Sequence, residues 1–270
     1  MRISVIICTY NKPEWLEKVL IGFAHQTYSD FELVIADDGS GPETKSLIER
    51  FREHSGIMVH HVWQPDEGFQ KSMILNKAIL ASTSDYLVFT DDDCIPRKDF
   101  IEVHAKNAEP GRFLSGGYFM LPMSTSKKIS ADDIGSGKAF NPAWLRENGL
   151  DPTFRILKLT ARGLIQDLLN TITTTKPTWN GHNASGWKKD LIKVNGFNEK
   201  MQYGGQDREL GERLENLGIR GKQIRYSAIC IHLDHARPYK TRESIQFNRS
   251  VREATRKEKK IRTEFGILKD

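Results

Sequence analysis

Four short apolar runs in the first hundred residues alternate with stretches of helical character, and this alternation constrains the fold more than any other feature. "ISVIICT" (3–9) is rich in β-branched residues and reads as a buried strand. "NKP" follows, with its proline placed for a first helical turn, and predicts a helix to about residue 26. "FELVIADDGS" (31–40) predicts a second strand, residues 42–54 a helix opened by Pro42, and "IMVHHVW" (57–63) a third strand. "KSMILNKAILAS" (71–82) predicts a helix and "DYLVFTDDD" (85–93) a fourth strand. Near-continuous apolar strands alternating with helices specify an α/β fold whose mostly parallel sheet is covered on both faces. Ligands of such sheets bind beyond the carboxyl ends of the strands. The clusters "CTYN", "DDGS" and "DDDC" lie at three of those ends, so the pattern points to one site.

The chemistry of that site is narrowed by what the strand ends carry. Neither GxGxxG nor GxxxxGK[ST] follows the first strand, which removes the dinucleotide fingerprint and the P-loop. Asp91, Asp92 and Asp93 are adjacent like charges at the end of an apolar run. Burying them is costly without a cation. Hard oxygen donors suit Mg²⁺ or Mn²⁺, which bridge phosphate oxygens. Asp91 and Asp93 converge on a metal and a ribose only if the strand ends and turns there, which Pro96 permits; a solvated acidic turn is the plain alternative. Lys and Arg number 40 against 35 Asp and Glu, too even a balance for a dedicated nucleic-acid binder. Three widely spaced cysteines indicate neither a disulfide framework nor a zinc site. The apolar run 3–8 is too short for a secretory leader, and no run approaches the roughly 18 residues of a membrane span. A cytoplasmic protein is the expectation.

Three blocks carry a resemblance. "ISVIICTYNKPEWLEKVLIGFAHQTYSDFELVIADDGS", "DEGFQKSMILNKAILASTSDYLVFTDDDCIPRKDF" and "GHNASGWKKDLIKVNGFNEKMQYGGQDRELGERLENLG" occur in the order found in family 2 glycosyltransferases of the GT-A fold. The chain resembles the chondroitin-polymerase-like and galactosyltransferase-like bacterial members over roughly 1–105 and 178–236. The resemblance implies a nucleotide-sugar half (1–105), an acceptor and catalytic-base half of the same domain (106–236) and a basic helical tail (237–270). It implies a UDP-sugar donor, a glycan or lipid-linked glycan acceptor, Mn²⁺ or Mg²⁺, and inversion at C1. By the same resemblance Thr9, Tyr10 and Asn11 line the base and ribose pocket, and Asp38 accepts from the uracil N–H. Lys71 and Asn76 sit near the donor, Asp91 and its neighbour Asp92 lie on the nucleotide side, and Asp93 and His232 hold the metal, with Asp91 shared. Asp207 is the catalytic base. Gln206 stands where the family often has Glu and faces the acceptor.

The remaining expectations rest on composition. "NGHNASG" (180–186) is turn-like, and Trp179 and Asn183 are candidates for sugar contact, with core packing as the competitor for the indole. Asp207 is also a candidate helix N-cap, and His235 reads as structural. Within 142–177 the apolar positions 156, 157, 159, 164, 165, 168, 169 and 172 recur at helical spacing, which predicts a helix packed on the core. A membrane-surface helix, a lid or a dimer contact are the alternatives. "NRSVREATRKEKKIRTEF" predicts a basic helix, either solvated or laid on anionic lipid. A non-catalytic relative and a nucleotidyltransferase on a similar fold are the rival functions; the first leans on Gln206, and the second lacks its Gly- and Lys/Arg-rich loop.

Overall fold

Every residue of β1 (Ile3–Thr9) is buried, as a strand covered on both faces requires. In the computed structural model, which describes residues 1–236 and 239–269, β1 pairs in parallel with β2 (Phe31–Asp37) and with β4 (Tyr86–Asp91). Ile3 stands opposite Phe31 on one side and Tyr86 on the other. β3 (Met58–Trp63) continues in parallel beyond β2. On the far side β8 (Ala184–Trp187) runs antiparallel to β4, β6 (Arg112–Ser115) antiparallel to β8, and β9 (Arg220–Gln223) parallel to β6. The order is β3-β2-β1-β4-β8-β6-β9, one sheet through both halves of the chain. A second sheet, β5 (Cys94–Pro96), β10 (Ile229–His232) and β7 (Gly117–Met120), stands beside it. The α/β class and mostly parallel sheet are those expected.

The helices are α1 (Pro13–Ala24), α2 (Pro42–Ser55), α3 (Lys71–Ala81), α4 (Phe100–Asn107), α5 (Met123–Lys128), α6 (Ala131–Gly135), α7 (Pro142–Glu147), α8 (Leu157–Thr160), α9 (Gly163–Ile172), α10 (Lys188–Lys193), α11 (Gln206–Asn216) and α12 (Arg242–Lys257). Proline opens α1 and α2, where the missing N–H costs nothing. Alternate strand residues feed two cores. Val5, Ile7, Leu33, Ile35 and Val88 pack with Leu16, Val19 and Phe23 of α1. Ile6, Val34, Leu87 and Phe89 pack with Ile74, Ala78 and Ile79 of α3 and Leu210 of α11. Each such side chain contributes about 1.5–3 kcal/mol by leaving water.

Two helices differ from expectation. α9 forms, yet it does not pack on the core: Leu164, Ile165, Leu168 and Ile172 are 57–88% exposed. Its polar face is the docked one. Gln166 and Asn170 donate to Ser227 Oγ at 2.8 and 2.7 Å, and Asn170 Oδ1 accepts from the Tyr226 N–H. Periodicity locates a helix face but not which face is buried. The basic helix α12 is not wholly solvated, since it packs along α11. Arg252 and Arg256 both pair with Glu212, and Asn248 donates to the carbonyls of Gln202 and Gly204. Residues 237, 238 and 270 of the expected tail lie outside the described residues. Among the described residues no helix is long and apolar enough to cross a membrane.

Candidate active site

The carboxyl ends of β1, β2 and β4 open onto a cavity of about 500 Å³, closed on its other sides by β7, the end of β10 and the start of α11. β4 stops at Asp91, and Asp92 and Asp93 form the turn into β5. That turn allows the three carboxylates to border one space. The positive charge they demand comes partly from the chain itself. Lys12 Nζ lies 3.1 Å from Asp93 Oδ2 and 3.5 Å from Asp92 Oδ1, and the half-buried Lys71 Nζ lies 2.5 Å from Asp91 Oδ1. Burial opposes the charge on both lysines, but the facing carboxylates outweigh it and hold both ammonium groups above their ordinary range. Lys12, at the mouth of the first βα turn, was not anticipated from sequence.

Asp92 braces the turn after β1. Its Oδ2 accepts from Thr9 Oγ1 at 2.9 Å and from the Tyr10 N–H at 3.3 Å. Burial pushes its carboxyl up to about 6 against the pull of Lys12. Burial acts on Asp93 in the same sense, yet the His235 hydrogen bond and the His232 and Lys12 charges hold it well below the usual carboxylate range.

Around Asp93 the donor set fits a divalent cation. His232 Nδ1 lies 2.8 Å from the Leu233 carbonyl and His235 Nδ1 2.8 Å from the Ala236 carbonyl. A carbonyl only accepts, so both Nδ1 atoms carry a proton, and each Nε2 is turned toward Asp93. Those Nε2 atoms face Asp93 oxygens at 3.7 Å (His232) and 3.0 Å (His235). With Nδ1 used on a carbonyl, each Nε2 either donates a proton to Asp93 or offers a lone pair to a cation held beside it. Asp93, Cys94 and His232 offer ligand atoms within 4.8 Å of one another. Burial pushes the Cys94 thiol up, so it stays protonated and the ligand set is carboxylate and imidazole. Asp91, engaged by Lys71, is not in this cluster.

Asp207 enters from the first turn of α11. Gly205 is the N-cap, with a positive φ of 108°, so Asp207 lies inside the helix and is not its cap. Its Oδ1 is buried without a hydrogen-bond partner. Burial pushes the carboxyl up to about 6, with Lys71 opposing. Gly181 makes room for it: a Cβ there would come within 2.9 and 3.0 Å of its two oxygens. Gln206 Oε1 accepts from the Gly204 N–H at 3.0 Å and steadies the turn ahead of the base.

Other expected residues fall in different places. Thr9, Tyr10, Asp38 and Lys71 border the cavity, whereas Asn11 does not. Asn11, with φ of 49°, ties β1 to the end of β2 by accepting from the Gly41 N–H. Asp38 already accepts from Gln64 Nε2 at 2.6 Å and the Gln70 N–H at 2.9 Å. Three expected contacts are corrected. Asn76 is buried away from the cavity, donating to the Phe197 carbonyl and Glu199 and accepting from the Phe197 N–H. Asn183 is fully buried, its amide donating to the Gly117 and Ala228 carbonyls and facing His104, so it clasps the two sheets together. Trp179 is fully buried against Phe89 and Phe113, which leaves no ring face for a sugar. The "ASG" end of the expected turn lies in strand β8, where a Cβ on Gly186 would come within 3.1 Å of the Trp179 ring. His235, read as structural, stands on Asp93. Phe69, Tyr118, His182, Tyr203 and Tyr239 border the cavity without any motif to announce them.

A parallel sheet whose carboxyl ends converge on an acidic, cation-fitting cavity, with a raised carboxyl facing it from a later helix, defines a GT-A-type protein. Residues 4–148 match the profile of glycosyl transferase family 2, and the chain belongs to that family. Residues 173–236 match the N-terminal domain of galactosyltransferase. The chain is 26% identical over 226 residues to validoxylamine A glucosyltransferase of Streptomyces hygroscopicus subsp. jinggangensis, covering 80% of this chain and 52% of that one. It is 26% identical over 234 residues to chondroitin synthase of Escherichia coli, covering 80% of this chain and 32% of that one. It therefore spans about half or less of the length of these relatives. Among solved structures, the mannosyltransferase PcManGT from Pyrobaculum calidifontis in complex with GDP-Man and Mn²⁺ superposes with a TM-score of 0.60 at 20% identity, over 88% of this chain and 58% of that one. S. aureus TarS in complex with UDP-GlcNAc gives 0.60 at 15%, over 88% and 60%.

Proposed function

We propose that this chain is an inverting, divalent-metal-dependent glycosyltransferase that moves a hexose or N-acetylhexosamine from a UDP-sugar to a glycan or lipid-linked glycan, in the building of a bacterial surface polysaccharide or lipopolysaccharide. The observation that carries the reading is Asp207: a half-buried carboxyl raised to about 6, with one buried unpartnered oxygen, on the same cavity as Lys71, Asp91 and Asp93. Residues 1–105 serve the donor and 106–236 the acceptor. Thr9, Tyr10 and Asp38 border the nucleoside end, with Asn11 and Asp92 holding the turn that shapes it. Asp93 and His232, with His235 beside them, would hold the metal. A bound divalent ion supplies Lewis-acid stabilisation of the leaving diphosphate. An imidazole in the set suits Mn²⁺ better than Mg²⁺, which prefers oxygen shells. Lys12 and Lys71 add positive charge to the same space. Asp207 takes the proton of the acceptor hydroxyl as that oxygen attacks C1, and a single displacement from the face opposite the diphosphate inverts the anomeric centre.

Incubation with a panel of nucleotide sugars, Mn²⁺ and oligosaccharide acceptors, followed by NMR of the product, tests the reading. A transferred sugar whose anomeric configuration is opposite to the donor's is expected; retention overturns the single displacement. A cytoplasmic enzyme touching the inner face of the cell membrane through α12 belongs to the same proposal. Flotation with anionic liposomes that is unchanged by neutralising Arg249 and Lys257 would contradict that contact.

A further inference from the structure

A second cavity, of about 510 Å³, meets the first at Tyr118, His182, Tyr203 and Asp207. The two differ in charge. Asp38, Asp91, Asp92 and Asp93 line the first, whereas Asp207 is the one carboxylate among the described residues lining the second. Lys176, Arg208, Arg225 and Arg252 also line it. Arg252 is engaged by Glu212 at 2.6 Å, but Lys176, Arg208 and Arg225 form no direct ion pair among the described residues. Behind the groove wall, Gln223 Oε1, Arg225 Nε and Asp207 Oδ1 belong to lining residues and are buried without a hydrogen-bond partner. Cationic side chains without a direct ion pair, lining a groove that reaches Asp207, suit an anionic ligand.

The placement gives the groove a role. Its lining includes Asp207 but neither Asp93, His232 nor His235, which leaves it for an attacking hydroxyl. We infer that the acceptor is acidic: a glycan carrying a carboxylate or a phosphate near its accepting hydroxyl, held by Arg225, Arg208 and Lys176. An anionic group on the acceptor would meet the cations that line this groove. An anion at these residues forms charge-assisted hydrogen bonds, roughly twice as strong as neutral ones. The inference rests on the transferase reading above and adds the substrate class of its second site.

The test uses acceptors matched in size: an oligosaccharide with a neutral terminal hexose, the same with a terminal uronic acid, and the same with a phosphate monoester. The donor is first identified by Mn²⁺-dependent nucleotide release without acceptor. At least about tenfold higher kcat/KM is expected for one of the acidic acceptors, a factor within reach of one or two charge-assisted bonds. Which acid wins names the source of the charge. In Arg225→Gln the acidic-to-neutral ratio should fall about tenfold, and Arg225→Lys should retain most of it. The ratio is internal to each variant, so partial loss of folded protein cancels. Equal use of neutral and acidic acceptors, with nucleotide release intact, overturns this inference and leaves the transferase reading standing. No nucleotide release from any donor overturns both.

Discussion

Asp207→Asn removes the charge and keeps the shape, and the site predicts effects of opposite sign on turnover and stability. Burial raises this carboxyl from 3.8 to about 6. Its ionised form is therefore disfavoured in the fold by about 3 kcal/mol at most. Local relaxation and water entry reduce this to roughly 1–3 kcal/mol. Below pH 3.8 the group is protonated both folded and unfolded, and the substitution gains nothing. Between 3.8 and 6 the cost of the native Asp grows, and above 6 it is constant. At pH 8 the Asn variant should unfold at a temperature roughly 2–12 °C higher, at about 2–4 °C per kcal/mol. At pH 4 the two proteins should melt nearly together. The same substitution removes the proton acceptor, so turnover should drop by about 10²–10⁴. In the unsubstituted protein kcat/KM should rise with pH up to about 6 and then level. Differential scanning fluorimetry at both pH values, beside a transfer assay, reads both effects. A variant that turns over at the parental rate, or one destabilised at pH 8, would refute the assignment of Asp207 as a desolvated base.

Three further substitutions probe the surroundings. Gly181→Ala puts a Cβ within 2.9–3.0 Å of both Asp207 oxygens, so kcat should fall while donor KM holds, as steady-state kinetics would show. Asp93→Ala removes the carboxylate facing His232 and His235, and Mn²⁺ titration by electron paramagnetic resonance should show loss of tight binding. Glu209→Gln breaks a buried pair with Arg213, which also donates to the Val194 and Gly196 carbonyls. Leaving that guanidinium uncompensated should cost about 3–5 kcal/mol in urea unfolding.

The first four strands and three helices are legible within one to three residues, because covered parallel strands need unbroken apolar runs and prolines fix the starts of α1 and α2. The second half is not. β6 to β10 are strands of four residues, too short for period-two alternation to show. Gly186 looks like a turn residue but sits in a strand because an indole crosses it. The site divides along a similar line. Asp91 and Asp93 stand out as carboxylates at a strand end, whereas Asp207 and His232 are expected only through the resemblance to family 2 glycosyltransferases. Asn76, Asn183 and Trp179 carry the same residue types that bind sugars, yet their groups are used up inside the core, which only the tertiary packing reveals. Lys12 is the converse: the acidic triplet demands a cation, and nothing local says that it arrives from the turn after β1.

The central claim is that this cavity holds a sugar nucleotide on a divalent ion at Asp93. Release of nucleoside diphosphate from a panel of UDP- and GDP-sugars, with Mn²⁺ and with EDTA, for the parent chain and Asp93→Ala, tests it most directly. Release from one UDP-sugar that requires Mn²⁺ and disappears in Asp93→Ala is the predicted result. Release that survives both EDTA and the substitution would contradict it.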